Sequence, residues 1–188
     1  MEKALVVLDL DETLIFGTKT PLDRIGDFMV GEYSIYLRPD CHHFLQEISK
    51  YFMLGIWSSA GELYVQEISN YFIDKGFQFE FVWSREKATY RRRLMHEVHS
   101  RDGDDAHQFY VKKLEKVKKH GFDLKRVLII DDTPHKSSEN YGNAIYPSIF
   151  EGDQKDGELT QLLDYLISIK DVENYRRVEK RNWRDQVR

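Results

Sequence analysis

Apolar residues in this chain fall into short unbroken runs separated by amphipathic stretches. Ala4–Leu8, Phe52–Trp57 and Val127–Ile130 are such runs, without polar alternation. A short apolar run bounded by polar residues predicts a strand covered on both faces, as in the middle of a parallel sheet. Residues 77–83 predict another strand, and 143–146 a short fifth. Between the runs, apolar residues recur at helical spacing. Residues 42–51 carry Phe44, Leu45 and Ile48; Glu62–Asp74 carries Leu63, Val65, Ile68 and Phe72; 109–120 carries Val111, Leu114 and Val117. Each predicts a helix with one buried face, as does 159–169. Arg38-Pro39-Asp40 opens the first helix and Gly76 stops the second. Strands alternating with helices predict an α/β fold with a mainly parallel five-stranded sheet and helices on both faces.

Three stretches break the alternation. Residues 14–30 hold Gly17, Pro21 and Gly26 among polar residues, a long loop or a loop with short strands, and Tyr33–Leu37 alternates like a short strand. Residues 84–108 are highly charged, with Arg91-Arg92-Arg93 and the run Arg101-Asp102-Gly103-Asp104-Asp105. They read as an insertion, helical around 90–98, with a mobile tip. Residues 171–188 alternate charges and read as a helical tail extending into solvent.

Composition narrows the classes of function. The 188 residues suffice for one domain with a real core. A net charge of −4 argues against bulk electrostatic binding to nucleic acid. Cys41 is the single cysteine, so no internal disulfide forms, and an intracellular setting is expected, cytoplasmic or nuclear. The apolar run at the start is too short for a signal peptide, and no stretch is long enough to span a membrane, so no membrane partner is expected.

The ends of the strands carry the chemistry. Asp9 and Asp11 follow Ala4–Leu8, and Asp131-Asp132 follow Val127–Ile130. Ligands bind at the carboxyl edge of an open parallel sheet, and residues two apart in extended chain face the same way. Thr13 is close enough to hydrogen-bond and fix the turn. Four crowded carboxylates repel unless a cation neutralises them. A set without histidine or cysteine suits Mg²⁺. Ser58-Ser59, with backbone N–H groups at the start of the next helix, can hold an anion beside the metal. A lysine on the helix after the insertion would supply the opposing charge. Together these groups make a phosphoryl-transfer site, in which one aspartate attacks phosphorus and a second protonates the leaving oxygen.

Asp9-Leu10-Asp11-Glu12-Thr13-Leu14 resembles the first motif of the haloacid dehalogenase superfamily, in the form found in its RNA polymerase C-terminal-domain phosphatase branch, which includes the NLI-interacting-factor-like proteins. Arg38-Pro39 with Phe44-Leu45, Trp57-Ser58-Ser59-Ala60, Tyr110-Val111-Lys112-Lys113-Leu114 and the run from Val127 to Pro134 match further motifs in the same order. The resemblance spans about residues 5–147.

The resemblance implies a sheet of order 5-4-1-2-3 without a large cap, in a phosphatase domain over residues 1–170. It implies a Mg²⁺-dependent phosphatase working through an aspartyl-phosphate on Asp9. Asp11 would be the general acid/base, its backbone carbonyl on the metal. Asp9, Asp11 and Asp132 would form the metal set, with Thr13 and Asp131 behind them. Ser58 and Ser59 would bind phosphate with Lys112, although Lys113 also fits the sequence. Without room for a large cap, phosphoserine or phosphothreonine on a protein or peptide is the leading substrate. A polynucleotide 3′-phosphatase, a small-metabolite phosphatase and a non-catalytic phosphopeptide-binding module are the alternatives. Arg91-Arg92-Arg93 is either plain surface or a patch for an acidic or phosphorylated partner. Thr133 stands where the motif has serine, and Leu63 where some relatives carry a lysine.

Overall fold

The computed structural model describes residues 3–92, 108–140 and 142–187. The buried runs form the expected strands: β1 (Ala4–Leu8), β5 (Phe52–Trp57) and β9 (Val127–Ile130). β1 pairs in parallel with β5 on one side and β9 on the other. β10 (Ala144–Ile145) and β6 (Val82–Trp83) close the two ends. The order β10-β9-β1-β5-β6 is the expected 5-4-1-2-3, counting only the strands of this sheet.

Each central strand serves two cores, because successive side chains point to opposite faces. Ala4, Val6 and Leu8 join Phe52, Leu54, Ile56, Leu128 and Ile130 in the larger core. There α1 (Cys41–Ser49), α2 (Glu62–Asp74) and α4 (Glu158–Ser168) cover the sheet. Leu5, Val7, Trp57, Val127 and Ile129 face the smaller core, with Phe81, Leu114 and Val117. Val117 comes from α3 (Glu115–Lys119).

Two smaller sheets frame the carboxyl edge. Residues 14–30 resolve into the short-strand alternative. β2 (Ile15–Thr18), β3 (Phe28–Val30) and β4 (Tyr33–Leu37) make an antiparallel sheet of order β2-β4-β3. β7 (Thr89–Arg92) pairs antiparallel with β8 (Gln108–Val111).

Four expectations are corrected, the last of them in its described part. The helix over 109–120 is a strand followed by a short helix: Phe109, Tyr110 and Val111 are aromatic or β-branched and pair with Arg91, Tyr90 and Thr89. Only Glu115–Lys119 turns helical. The third strand keeps only Val82–Trp83 as regular structure. The tail does not extend α4 into solvent. It forms 3₁₀ turns at Tyr175–Arg177 and Trp183–Gln186 and buries Tyr175 and Trp183 against the larger core. Of the predicted helix around 90–98, residues 90–92 are strand, and 93–98 lie outside the described residues, as do Arg93 and the 101–105 run. Among the described residues, no helix is long and apolar enough to cross a membrane.

Candidate active site

Parallel register brings the predicted residues to one edge. Leu8 lies opposite both Ile56 and Ile130, so the residues that follow emerge side by side. The Asp9 amide donates to the Ile130 carbonyl at 2.9 Å, which extends the ladder past the last strand residue. Just beyond, Glu12 takes a left-handed φ of 62°. The Thr13 and Leu14 amides donate back to the Leu10 carbonyl at 3.2 and 2.8 Å. This tight turn keeps Asp9 and Asp11 at the strand end.

Asp9, Asp131 and Asp132 are buried, and one oxygen of each lies within 4.8 Å of the others. Asp9 Oδ1 accepts from the Leu10 amide at 2.8 Å. Its Oδ2 has no aligned hydrogen-bond donor, but the Lys112 ammonium stands 2.8 Å away. Lys112 is fully buried and donates at 2.7 Å to Asp131 Oδ2. Its backbone is locked as well: its amide donates to the Lys136 carbonyl at 2.7 Å, and its carbonyl accepts from Asn140 Nδ2 at 2.6 Å. Lys113 turns outward to Glu139, 2.6 Å away. Lys112 therefore sits at the end of β8 rather than on a helix. Burial raises the Asp9 carboxyl above its ordinary value and the Asp131 charge adds to this, while Lys112 and Lys136 pull it back.

Thr13 ties the first turn to the second acid pair. Its hydroxyl accepts from the Asp132 amide at 3.2 Å and lies 3.4 Å from Asp132 Oδ1. Asp132 Oδ2 accepts from the Thr133 hydroxyl at 2.7 Å, and Asp131 Oδ1 from the Thr133 amide at 2.9 Å. Buried Arg38 holds the loop from behind. It donates to the Thr13 carbonyl at 3.1 Å and grips Asp156 through two hydrogen bonds of 2.9 and 2.7 Å.

Asp11 is half-buried and accepts from the Tyr64 hydroxyl at 2.7 Å. Burial pushes its carboxyl up to about 6; the Tyr64 hydrogen bond opposes this and the Asp9 charge adds to it. Gly17 leaves the room Tyr64 needs, since a Cβ there would fall on its hydroxyl. Asp11, Gly17, Tyr33, Ala60, Gly61 and Tyr64 line a cavity of about 290 Å³ beside the acids.

On the β5 side, the Ser58 hydroxyl is buried and accepts from the Ala60 amide at 3.0 Å, which leaves its own hydrogen free to donate. The Ser59 hydroxyl is buried with no partner. α2 begins at Gly61 with no side-chain cap, so its first N–H groups are free for an anion.

Lys136 and Tyr64 were not expected here. Lys136 follows the Asp131-Asp132-Thr133-Pro134 turn on the 3₁₀ segment Pro134–Ser137, and its Nζ lies 3.7 Å from Asp9 Oδ2. Burial lowers the Lys136 ammonium, but Asp9, Asp131, Asp132 and Glu12 together hold it above its ordinary value. The proline after the acid pair was the available signal, because it forces a turn that brings the next polar residues back toward the acids. Arg91 is engaged by Glu139 at 3.0 Å.

The donor set can hold a divalent ion. Three carboxylates converge with no histidine or cysteine among them, as hard cations require. Asp131 is committed to Lys112 and Thr133, which leaves the carboxylates of Asp9 and Asp132 for direct contact.

Comparison with known proteins supplies independent findings. The profile of NLI interacting factor-like phosphatase matches residues 4–176. "CTD small phosphatase-like protein 2" of Dictyostelium discoideum is 30% identical over 181 residues, 93% of this chain and 29% of that protein. The human "Carboxy-terminal domain RNA polymerase II polypeptide A small phosphatase 1" is 26% identical over 92% of this chain and 62% of its own length. The chain thus spans less than two thirds of either relative. "CTD nuclear envelope phosphatase 1B" of Danio rerio is 27% identical over 97% of this chain. In fold, the chain is similar to a variant of the fission yeast RNA polymerase II CTD phosphatase Fcp1 bound to beryllium fluoride. The TM-score is 0.56 at 19% identity, over 98% of this chain and 54% of that one.

Proposed function

This chain belongs to the NLI interacting factor-like phosphatase family, phosphoric monoester hydrolases in the RNA polymerase C-terminal-domain phosphatase branch of the haloacid dehalogenase superfamily, and on that premise we propose that it hydrolyses phosphoserine or phosphothreonine on proteins through an aspartyl-phosphate on Asp9. The observation that carries this reading is the buried Asp9 held between Leu10 N–H and Lys112, with Asp11 two residues on in an environment that favours its acid form.

In the proposed reaction, Asp9 Oδ2, the oxygen without an aligned donor, attacks phosphorus. The bond from phosphorus to the ester oxygen breaks, and Asp11 gives that oxygen its proton. The phosphoryl group is then an acyl phosphate on Asp9. Asp11, now a carboxylate, takes a proton from water as the water attacks phosphorus, and the bond to Asp9 breaks. Tyr64 fixes the Asp11 carboxyl for both transfers. The Ser58 hydroxyl, the Ser59 amide and the start of α2 receive phosphoryl oxygens. Lys112, kept in place by Asp131, sits against Asp9 and the phosphoryl group.

Asp9, Asp132 and the Asp11 carbonyl would hold Mg²⁺, which would neutralise charge on the phosphoryl group and beside Asp9. Thr13 and Thr133 fix Asp132 for that role. The protein substrate is favoured because, among the described residues, the two small sheets beside the edge are too slight to close over a small metabolite. The name of the human relative, which mentions the RNA polymerase II carboxy-terminal domain, agrees with this, and the name of the Danio rerio relative mentions the nuclear envelope. Both fit the expected intracellular setting.

The test is turnover over a substrate panel: phosphoserine and phosphothreonine peptides, a 3′-phosphorylated oligonucleotide, and small phosphate esters. Release of phosphate from the peptides at the highest kcat/KM supports the reading. Preference for the oligonucleotide replaces the substrate class. Peptide binding without release would make the domain a phosphopeptide reader.

A further inference from the structure

Among the described residues, Lys112 and Lys136 are the two ammonium groups within ion-pair reach of Asp9. They stand in different circumstances. Lys112 has no exposed surface and divides its charge between Asp9 at 2.8 Å and Asp131 at 2.7 Å. Lys136 lies 3.7 Å from the same Asp9 oxygen, and its side chain keeps 22% of its exposure. Its backbone is pinned at both ends: its amide donates to the Thr133 carbonyl at 3.1 Å, and its carbonyl accepts from the Lys112 amide at 2.7 Å. The base of the side chain is thus fixed while its head stays partly exposed beside Asp9.

A charge count shows what this head is for. Asp131 balances Lys112. Asp9 and Asp132 balance a divalent ion. Glu12 adds a further negative charge near Lys136 but makes no ion pair with it, so a phosphomonoester dianion entering this arrangement meets Ser58, Ser59 and the start of α2, which are donors without net charge. Lys136 is the cation left beside the Asp9 oxygen that attacks.

We propose that Lys136 binds the phosphoryl group of the substrate directly, taking a non-bridging oxygen across from the Ser58–Ser59 donors. This inference rests on the phosphoryl-transfer reading above and adds a residue to it. The competing role is purely internal, in which Lys136 only offsets repulsion among Asp9, Asp132 and Glu12. The two roles predict opposite results. A phosphate ligand weakens phosphate binding when it is removed. An internal counterion competes with a divalent ion, so its removal tightens Mg²⁺ and leaves phosphate unchanged.

The experiment compares wild type, Lys136→Met and Lys136→Arg, with Lys136→Gln in reserve should the methionine variant fail to fold. Inorganic phosphate is titrated at saturating Mg²⁺, with the midpoint of thermal unfolding as the readout. Mg²⁺ alone is titrated in the same way, and kcat and KM are measured on a phosphopeptide. Loss of one charge-assisted contact should weaken phosphate binding about tenfold in Lys136→Met, while Lys136→Arg stays within about threefold of wild type. KM should rise more than kcat falls. Unchanged phosphate affinity in Lys136→Met overturns the proposal, whether or not Mg²⁺ binds more tightly. So does a wild type whose midpoint does not respond to phosphate. If the wild type hydrolyses no ester, yet phosphate binding still weakens in Lys136→Met, the catalytic reading fails and this one stands.

Discussion

The β9–β1 side of the carboxyl edge and the β5 side are finished differently. On the first, nearly every charged atom already has a partner within the chain: Asp131 has Lys112 and Thr133, Asp132 has Thr13 and Thr133, and Asp9 has Leu10 N–H and Lys112. On the second, the donors wait. The Ser59 hydroxyl is unpartnered and α2 starts without a side-chain cap. The physical reason is the size of the penalties. An unpaired buried charge costs several kcal/mol, whereas an unpaired hydroxyl or amide costs about 1–3 kcal/mol. Charged groups must therefore be held before a ligand arrives, and neutral donors can be left for it.

That contrast sets the order of expected effects. Asp9→Asn should abolish turnover, because an amide is a poor nucleophile and a weak metal ligand; near wild-type phosphate release from this variant would remove Asp9 from its role. Chelation should be nearly as severe. Activity should vanish in EDTA and return with added Mg²⁺, and full activity in chelator would mean that the acids work without a metal.

Asp11→Asn should lower kcat on phosphoserine peptide by about 10²-fold or more, since the proton donor is lost. The direction of its pH dependence follows from the raised carboxyl. With a value of about 6, Asp11 carries its proton below that pH and loses it above, so kcat on a poor leaving group should fall as pH rises through about 6. The limb should be absent in Asp11→Asn and shallow for p-nitrophenyl phosphate, whose leaving group needs little protonation. A profile identical in the variant would assign the limb to another group.

Ser58→Ala should have the smallest effect. Its hydroxyl is one of several donors on a side that the fold leaves adaptable, and its loss should cost about tenfold in kcat/KM. A loss as large as that from Asp11→Asn would mean that the two sides are not as differently built as the hydrogen bonds indicate.

How far the sequence could be read follows the same physical line. β1, β5 and β9 were readable because a strand buried on both faces needs an unbroken apolar run, and the acids after it mark the exit. The β7–β8 hairpin was not readable. Val111, Leu114 and Val117 fit a helix, while Phe109 and Val111 fit a strand, and the choice is made by pairing with Thr89–Arg92, which is not local in sequence. The tail misled because its charges hide two aromatic anchors, Tyr175 and Trp183. Of the site, the structure gathers Asp9, Asp131, Asp132 and Lys112, with Asp11 and Thr13 on the turn beside them, and it places Lys112 against Asp9 while Lys113 turns to Glu139. Tyr64 carries no mark in sequence, since a tyrosine on a helix is ordinary until the fold brings it to the acids, and Lys136 is marked only by the turn that Pro134 starts two residues before it.

The placement of β1 at the centre of the sheet has a consequence for how the chain reaches this state. β1 comes first in the chain, yet both its neighbours come later, β5 at Phe52–Trp57 and β9 at Val127–Ile130. The Thr13–Asp132 hydrogen bond spans 119 residues, and Trp183, which packs on the larger core, comes later still. Contacts so distant in sequence close loops before they return any stability, which slows folding. As the chain leaves the ribosome, an apolar strand stays without its second partner until Val127–Ile130 has been made, a period of exposure in which assistance from a chaperone has its greatest effect. The acids of the cleft meet only at the end of that period, together with the lysine that keeps them from driving one another apart.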